Sequence, residues 1–325
     1  MSSDNQSVGD IAPVDDGSGD IYVGELESLA GQRARIWKLH PNGSVDGSFA
    51  QGQINFTGDA PITPTMIFRI VPIGDRSGRA YVCGQFDRYN GMPVSHMVLV
   101  TPTGTLDPTF LSTAATPISN IFPADDGTGD LYVTNFRLTG PSSGGPGTVY
   151  RLNADGSIDS GFTPLSAGVA GFDGSINAAL PVGDGSGDIF VGGSTIYLGT
   201  GVPAPTTNPD GFRGLVRLNS DGTFDLTSPT PPVPGGVFHM SRAVDGTRDI
   251  LISDGVQLMR FKGDASRDPG FVTGTVTGPR SLIFALLPLN DGTGDLYVGG
   301  DVMTYNGVSA GNVVRLNANG TLDGS

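Results

Sequence analysis

The sequence predicts an all-β chain, and in its regular form a six-bladed β-propeller of six four-stranded repeats about 55 residues long. Three observations carry this. A ten-residue phrase, DGSGDIYVGE at Asp16, returns near-identically at Asp75, Asp126, Asp184, Asp245 and Asp291. Each copy contains two hairpin signatures. The 325 residues include 51 glycines and 24 prolines and lack a long run of helix-period apolar positions.

Each repeat reads in one order. An apolar stretch ending in Pro comes first, as in SVGDIAPV at Ser7, SINAALPV at Ser175 and SLIFALLPL at Ser281. The DGSGD phrase follows, its glycines free to take positive φ and its leading Asp able to hydrogen-bond its own turn. A β-rich run such as IYVG predicts the second strand. Alternating segments, VYRLN at Val149, LVRLN at Leu215 and VVRLN at Val313, predict the third. An Asn-Gly or Asp-Gly pair then predicts a two-residue hairpin, both central residues at positive φ, into a short last strand such as SVDGSF or TLDPTF. The repeats run approximately 7–66, 67–117, 118–174, 175–235, 236–280 and 281–325, forming a single domain over 1–325. A tandem array that never closes is the competing architecture. The repeat-like edges of the chain lead us to expect a longer, multidomain parent protein.

A net charge of −14 argues against nucleic acid and anionic membranes as partners. No segment reaches the apolar length of a membrane helix, and Met1 to Asp10 has no signal-peptide pattern. Cys83, the single cysteine, reads as a small buried residue on a strand.

The acids pose the sharpest question. Carboxylates in a glycine-bearing turn can supply several of calcium's six to eight oxygens. The pairs Asp16/Asp20, Asp126/Asp130, Asp184/Asp188, Asp245/Asp249 and Asp291/Asp295 are therefore the candidate metal ligands, calcium being the expected ion, with turn chemistry the plainer reading. The second copy, DRSGRAYV, is an internal control, since Arg79 replaces the second Asp. A further Asp recurs in every last strand, at 46, 107, 159, 225, 268 and 323, and is expected to accept backbone N–H groups around the preceding turn. The third strand carries Lys38, Leu99, Arg151, Arg217, Arg260 and Arg315 in successive repeats. These read as an outward face, or as a ring of cations for an anionic ligand.

No catalytic constellation emerges, and the chain is expected not to be an enzyme. His40, His96 and His239 fall in three different repeats without zinc spacing. GPSSG at Gly140 lacks the strand and helix that a nucleophile elbow needs. Aromatics beside amides, the chemistry of sugar stacking, single out Tyr89, Asn90, Tyr197, Tyr305 and Asn306 as candidate ligand-binding residues; YNG as a plain turn is the alternative.

The combination of DG-x-(I/L)-(Y/F)-VGG, YNG and RLN-x-DGS-x-D-x-x-F resembles the delta-60 repeat of large bacterial surface and secreted proteins, over nearly the whole chain. The resemblance implies an extracellular or cell-surface β-propeller module and no established reaction. The expected function is thus non-enzymatic binding or adhesion through several loops at once, with carbohydrate or another extracellular polymer or protein as partner. A propeller-fold glycoside hydrolase or lyase, and a purely structural assembly module, are the alternatives.

Overall fold

The computed structural model describes residues 6–27, 33–55, 65–135, 148–166, 176–193, 214–229, 233, 235–278, 281–302 and 304–324. In the first repeat β1 (Gln6–Pro13), β2 (Ile21–Glu27), β3 (Arg33–Leu39) and β4 (Gly52–Asn55) pair antiparallel in chain order. The second begins with β5 (Met66–Pro72) and β6 (Ala80–Gln85). A small hairpin, β7 (Arg88–Tyr89) and β8 (Met92–Pro93), precedes β9 (Met97–Val100), which returns to pair with β6. The third has β10 (Ile118–Pro123), β11 (Leu131–Asn135) and β12 (Thr148–Leu152), followed by the short β13 (Leu165–Ser166). The fourth has β14 (Ile176–Pro181), β15 (Ile189–Gly193) and β16 (Leu215–Leu218). The fifth has β17 (His239–Arg242), β18 (Ile250–Ser253), β19 (Gln257–Phe261) and β20 (Gly274–Thr277). In the sixth, β21 (Leu282–Pro288) and β22 (Leu296–Asp301) are followed by the hairpin β23 (Thr304–Tyr305) and β24 (Val308–Ser309), then by β25 (Val313–Leu316) against β22.

All-β architecture and sixfold repetition are as the sequence predicts, but the closed propeller of six equal four-stranded blades is not. The described residues form six antiparallel sheets of three to six strands, none closed on itself. Two features cause the inequality. The expected last strand shrinks to one bridge per repeat: Leu39 with Val45, Val100 with Leu106, Leu152 with Ile158, Leu218 with Phe224, Phe261 with Arg267, Leu316 with Leu322. The YNG hairpins, in turn, add to the preceding repeat, β7 pairing with β4 and β23 with β20, which extends those sheets to six strands.

The turns differ from expectation in an instructive way. At the Asn-Gly and Asp-Gly sites, and at Thr103-Gly104, which takes their place in the second repeat, the glycine has positive φ, as at Gly43, Gly104, Gly156, Gly222 and Gly320, but the residue before it does not. The backbone bonds Gly43 N to His40 O and His40 N to Ser44 O describe a type I turn followed by a left-handed glycine. Both central residues take positive φ in the YNG hairpins, at Asn90–Gly91 and Asn306–Gly307. In the DGSGD phrase both glycines are left-handed as expected, and Arg76 and Arg248 adopt the same conformation where they replace glycine.

Contacts cluster into two compact units. The first takes Met1–Ala124, Thr128–Phe136 and Val149–Ser160; the second takes Asp125–Gly127, Arg137–Thr148 and Gly161–Ser325. Within each, successive sheets stack face to face. In the first unit Tyr22, Ile36 and Ile54 pack on Ile67, Val82 and Val98. The opposite face of the second repeat, with Tyr81, Cys83 and Leu99, packs on Ile118, Val133 and Leu152. In the second unit Phe190 and Leu215 pack on Ile252 and Met259, then Leu251 and Leu258 on Ile283, Val298 and Leu316. Alternation along each strand sends odd residues to one neighbour and even residues to the other. Each fully buried side chain of this size contributes about 1.5–3 kcal/mol.

Candidate functional site

In DGSGD the leading Asp caps its own turn. Asp16 Oδ1 accepts from Ser18 N at 2.9 Å, and Asp75, Asp184, Asp245 and Asp291 do the same two residues on. These Asx turns keep carboxylates ionised. Hydrogen bonds from Ser77, then Arg79, hold Asp75 down to about 2, and those from Thr293 hold Asp291 below the usual range.

The second Asp has another partner. It pairs with the chain's own cation, supplied from the third strand. Arg151 lies 2.8 Å from Asp130, Arg217 2.6 Å from Asp188, Arg260 2.8 Å from Asp249 and Arg315 2.8 Å from Asp295. The same cations reach the recurring last-strand Asp: Asp159 at 3.6 Å, Asp225 and Asp268 at 3.5 Å, Asp323 at 3.2 Å. In the first repeat Lys38 sits 3.2 Å from Asp20 and 3.5 Å from Asp46. The second Asp also accepts a backbone N–H from the Asn-Gly or Asp-Gly turn, at Ala154, Ser220 and Ala318. One carboxylate therefore staples the two turns of a repeat together.

This corrects two expectations. Lys38, Arg151 and Arg260 are buried between carboxylates and so form no outward face, Arg217 is half-buried, and Arg315 is 35% exposed, but both are likewise paired with carboxylates. The last-strand acids do accept backbone N–H groups, but from the turn that follows them: Asp46 from Ser48, Asp107 from Thr109, Asp225 from Thr227 and Asp268 from Gly270.

The second repeat lacks both the loop Asp and the strand Arg, and the two losses cancel. Arg79, standing where its siblings have Asp, bonds Asp75 at 2.8 Å and Asp107 at 2.9 Å. Leu99, standing where they have Arg, is buried against the third repeat. The cation has moved from the third strand to the turn before the second, and the cluster keeps one cation.

The first repeat is chemically distinct. His40 Nδ1 lies 3.2 Å from Asp20 Oδ1, and Asp20, His40 and Asp46 offer three ligand atoms within 4.8 Å of one another. Among the described residues this is the one group of its kind. It can coordinate a divalent cation once the Lys38 ammonium moves aside; the two carboxylates are buried and the imidazole is partly exposed.

The sugar-platform residues are placed differently from the expectation. Tyr89 and Tyr305 are buried, donating from Oη to the Gly104 and Gly320 carbonyls at 2.7 and 3.0 Å. A Cβ on Gly52 or Gly274 would overlap their rings, so both tyrosines lie flat on a bare glycine of the preceding repeat. Neither ring has a face left for a sugar. Asn90 and Asn306 occupy the left-handed turn position, and Asn306 Oδ1 accepts from Thr275 N. Tyr197 and the GPSSG segment at Gly140 lie outside the described residues.

Other reactive groups are quiescent. Cys83 is completely buried, which pushes its thiol up and out of thiolate chemistry, and burial lowers the His96 imidazole. No helix among the described residues is long and apolar enough to cross a membrane.

Comparison with known proteins adds little chemistry. No curated protein matches the sequence. Among solved structures, the Pan2 WD40 domain of Neurospora crassa is 9% identical, with 90% of this chain and 85% of that one covered at a TM-score of 0.48. The calcium-binding protein regucalcin of Agrobacterium tumefaciens is 15% identical, with 90% and 81% covered at 0.47. Hsv2 of Kluyveromyces lactis is 12% identical, with 97% and 74% covered at 0.45. Scores below 0.5 carry no argument about what this chain does. A family model described as a domain of unknown function (DUF5122) beta-propeller matches residues 77–110, 144–162 and 292–325. The chain is thus similar to that family over parts of its second, third and sixth repeats.

Proposed function

We propose that the chain is a non-enzymatic interaction module of an extracellular or cell-surface protein, part of a longer polypeptide, with a protein or other extracellular polymer as partner. One observation carries this reading: in all six repeats a single cation ties together two or three of the recurring acids and so the turns that bear them, and stapling turns is work without turnover. The delta-60 resemblance of the repeats supports the extracellular setting. The sugar-stacking version loses its aromatic platforms at Tyr89 and Tyr305. Multivalent display remains, because similar repeats present similar loops to a partner that reaches several at once.

A divalent cation belongs to this reading at Asp20, His40 and Asp46, where calcium would stiffen the first repeat. The mixed oxygen and nitrogen donor set also suits a transition metal such as zinc. Calorimetric titration of chelator-stripped protein with calcium and with zinc tests it. One equivalent per chain, abolished by Asp46→Asn and accompanied by a raised melting temperature, is the expected result. Several equivalents would return the ion to the DGSGD loops; zero would leave Lys38 as the permanent occupant. Incubation with a panel of immobilised extracellular polymers should give retention without new chain ends, and release of fragments would overturn the non-enzymatic reading.

A further inference from the structure

The first repeat departs from its siblings at three positions, and all three changes meet at one carboxylate. Where the third, fourth and sixth repeats read Arg-Leu-Asn followed by Ala154, Ser220 or Ala318, the first reads Lys38, Leu39, His40 and Pro41. Each change acts on Asp20, which is buried together with Asp46.

Pro41 removes a hydrogen-bond donor. In the sibling repeats Oδ1 of the second loop Asp accepts the backbone N–H of the residue at this position: Asp130 from Ala154, Asp188 from Ser220 and Asp295 from Ala318, at 3.0–3.1 Å. Proline has no N–H to give, so Asp20 Oδ1 is left to His40 Nδ1, 3.2 Å away. The second repeat obeys the same rule. It too has a proline here, Pro102, and its loop carboxylate is gone, replaced by Arg79.

His40 and Lys38 complete the change. Asn153, Asn219 and Asn317 donate from their amides to the hydroxyls of Ser157, Thr223 and Thr321, each at 2.9 Å, whereas His40 in the same place brings a ring nitrogen to the two carboxylates. The staple is also looser. Arg217 grips Asp188 with Nε and Nη2 at 3.0 and 2.6 Å. Lys38 instead offers a point charge on a flexible stem, 3.2 Å from Asp20 and 3.5 Å from Asp46. Such an ammonium can swing out to water where a planar fork held at two points cannot.

We infer that Lys38, His40 and Pro41 convert the staple of the first repeat into an exchange site, in which a zinc-class divalent ion takes the place of the Lys38 ammonium between Asp20, His40 and Asp46. The inference rests on the cation site proposed above and selects its ion. Calcium requires six to eight oxygens, more than two carboxylates supply, and an imidazole adds none. One ring nitrogen and two carboxylates, with water in the remaining position, suit zinc. The imidazole is 44% exposed, which opens the site to solvent for the entering ion and its water.

Calorimetry with zinc chloride and with calcium chloride on chelator-stripped protein tests this, repeated on Lys38→Arg, His40→Asn and Pro41→Ala. Each variant restores a sibling's residue, and circular dichroism checks that it is folded. Wild-type protein should take one zinc about tenfold or more tighter than calcium, and each variant should lose about tenfold or more of the zinc affinity. A second measurement follows the ammonium and needs no variant. The chain has two lysines, Lys38 and the exposed Lys262. Zinc should raise the acetylation of Lys38 by acetic anhydride, read by mass spectrometry, and leave that of Lys262 unchanged. Calcium bound as tightly as zinc, undiminished zinc binding by Lys38→Arg, or a Lys38 still unreactive in the zinc-loaded protein would overturn the exchange site and leave the cation site standing. Wild-type protein that binds neither ion would overturn both.

Discussion

Leu99 and Arg79 show how a residue's meaning depends on one distant partner. Each departs from the repeat pattern, and together they conserve the charge cluster, because the guanidinium reaches Asp75 and Asp107 from the turn before the second strand instead of from the third strand. Arg79→Asp alone leaves three carboxylates without a cation, and Leu99→Arg alone brings two guanidinium groups together in a buried place. Each should lower stability by roughly 2–3 kcal/mol. The double substitution recreates the arrangement of the sibling repeats and should recover part of that loss. Urea denaturation of the four proteins should give a favourable coupling of about 1–3 kcal/mol; additive losses would mean that no such cluster forms.

At the scale of the element, the turns separate what glycine does for its own conformation from what it does for a neighbour. Gly43 and Gly104 share a φ of 81°, but only Gly104 lies against another repeat's backbone. Gly43→Ala should cost about 1–2 kcal/mol, the left-handed penalty alone. Gly104→Ala adds forced repacking and should cost about 3 kcal/mol or more. Equal urea midpoints for the two variants would remove the cross-repeat contact from the account. Much of this level was legible in the sequence: left-handed glycines and alternating strands are local properties, so DGSGD and IYVG announced their turn and strand. The tyrosine of YNG misled because its partner, Gly52 or Gly274, belongs to the repeat before it. The strand cations misled in the same way, although the joint loss of Asp and Arg in the second repeat was a readable sign that the two residues act as a pair. Closure could not be read at all, since periodicity sets the unit and not the angle between units.

For the whole molecule the governing quantity is the balance between self-repulsion and paired charge. A net charge of −14 favours a modest fall in pH, which relieves repulsion. The capping carboxylates work the other way. Asp75, held to about 2, together with Asp16, Asp46, Asp107 and Asp291, all below the usual range, binds protons less readily folded than unfolded. The stability they confer is present above about pH 4, the unfolded value, and is lost as pH falls through the folded values toward 2. Asp10, raised by burial, opposes this trend on its own. Urea midpoints should hold or rise slightly from pH 7 to 5 and then drop between pH 4 and 2. A midpoint still rising at pH 3 would show that repulsion outweighs the caps.

The pairing of β4 with β7, and of β20 with β23, also determines where the polypeptide can be cut. A truncation placed at the boundary between the first and second repeats would sever the hairpin from the strand it covers, leaving Ile54 and Asn55 on a bare edge with open hydrogen-bonding groups. Such edges recruit other strands and precipitate. For these two junctions the smallest portable fragment is a pair of repeats, so the register of covalent repetition and the register of excisable parts are out of step.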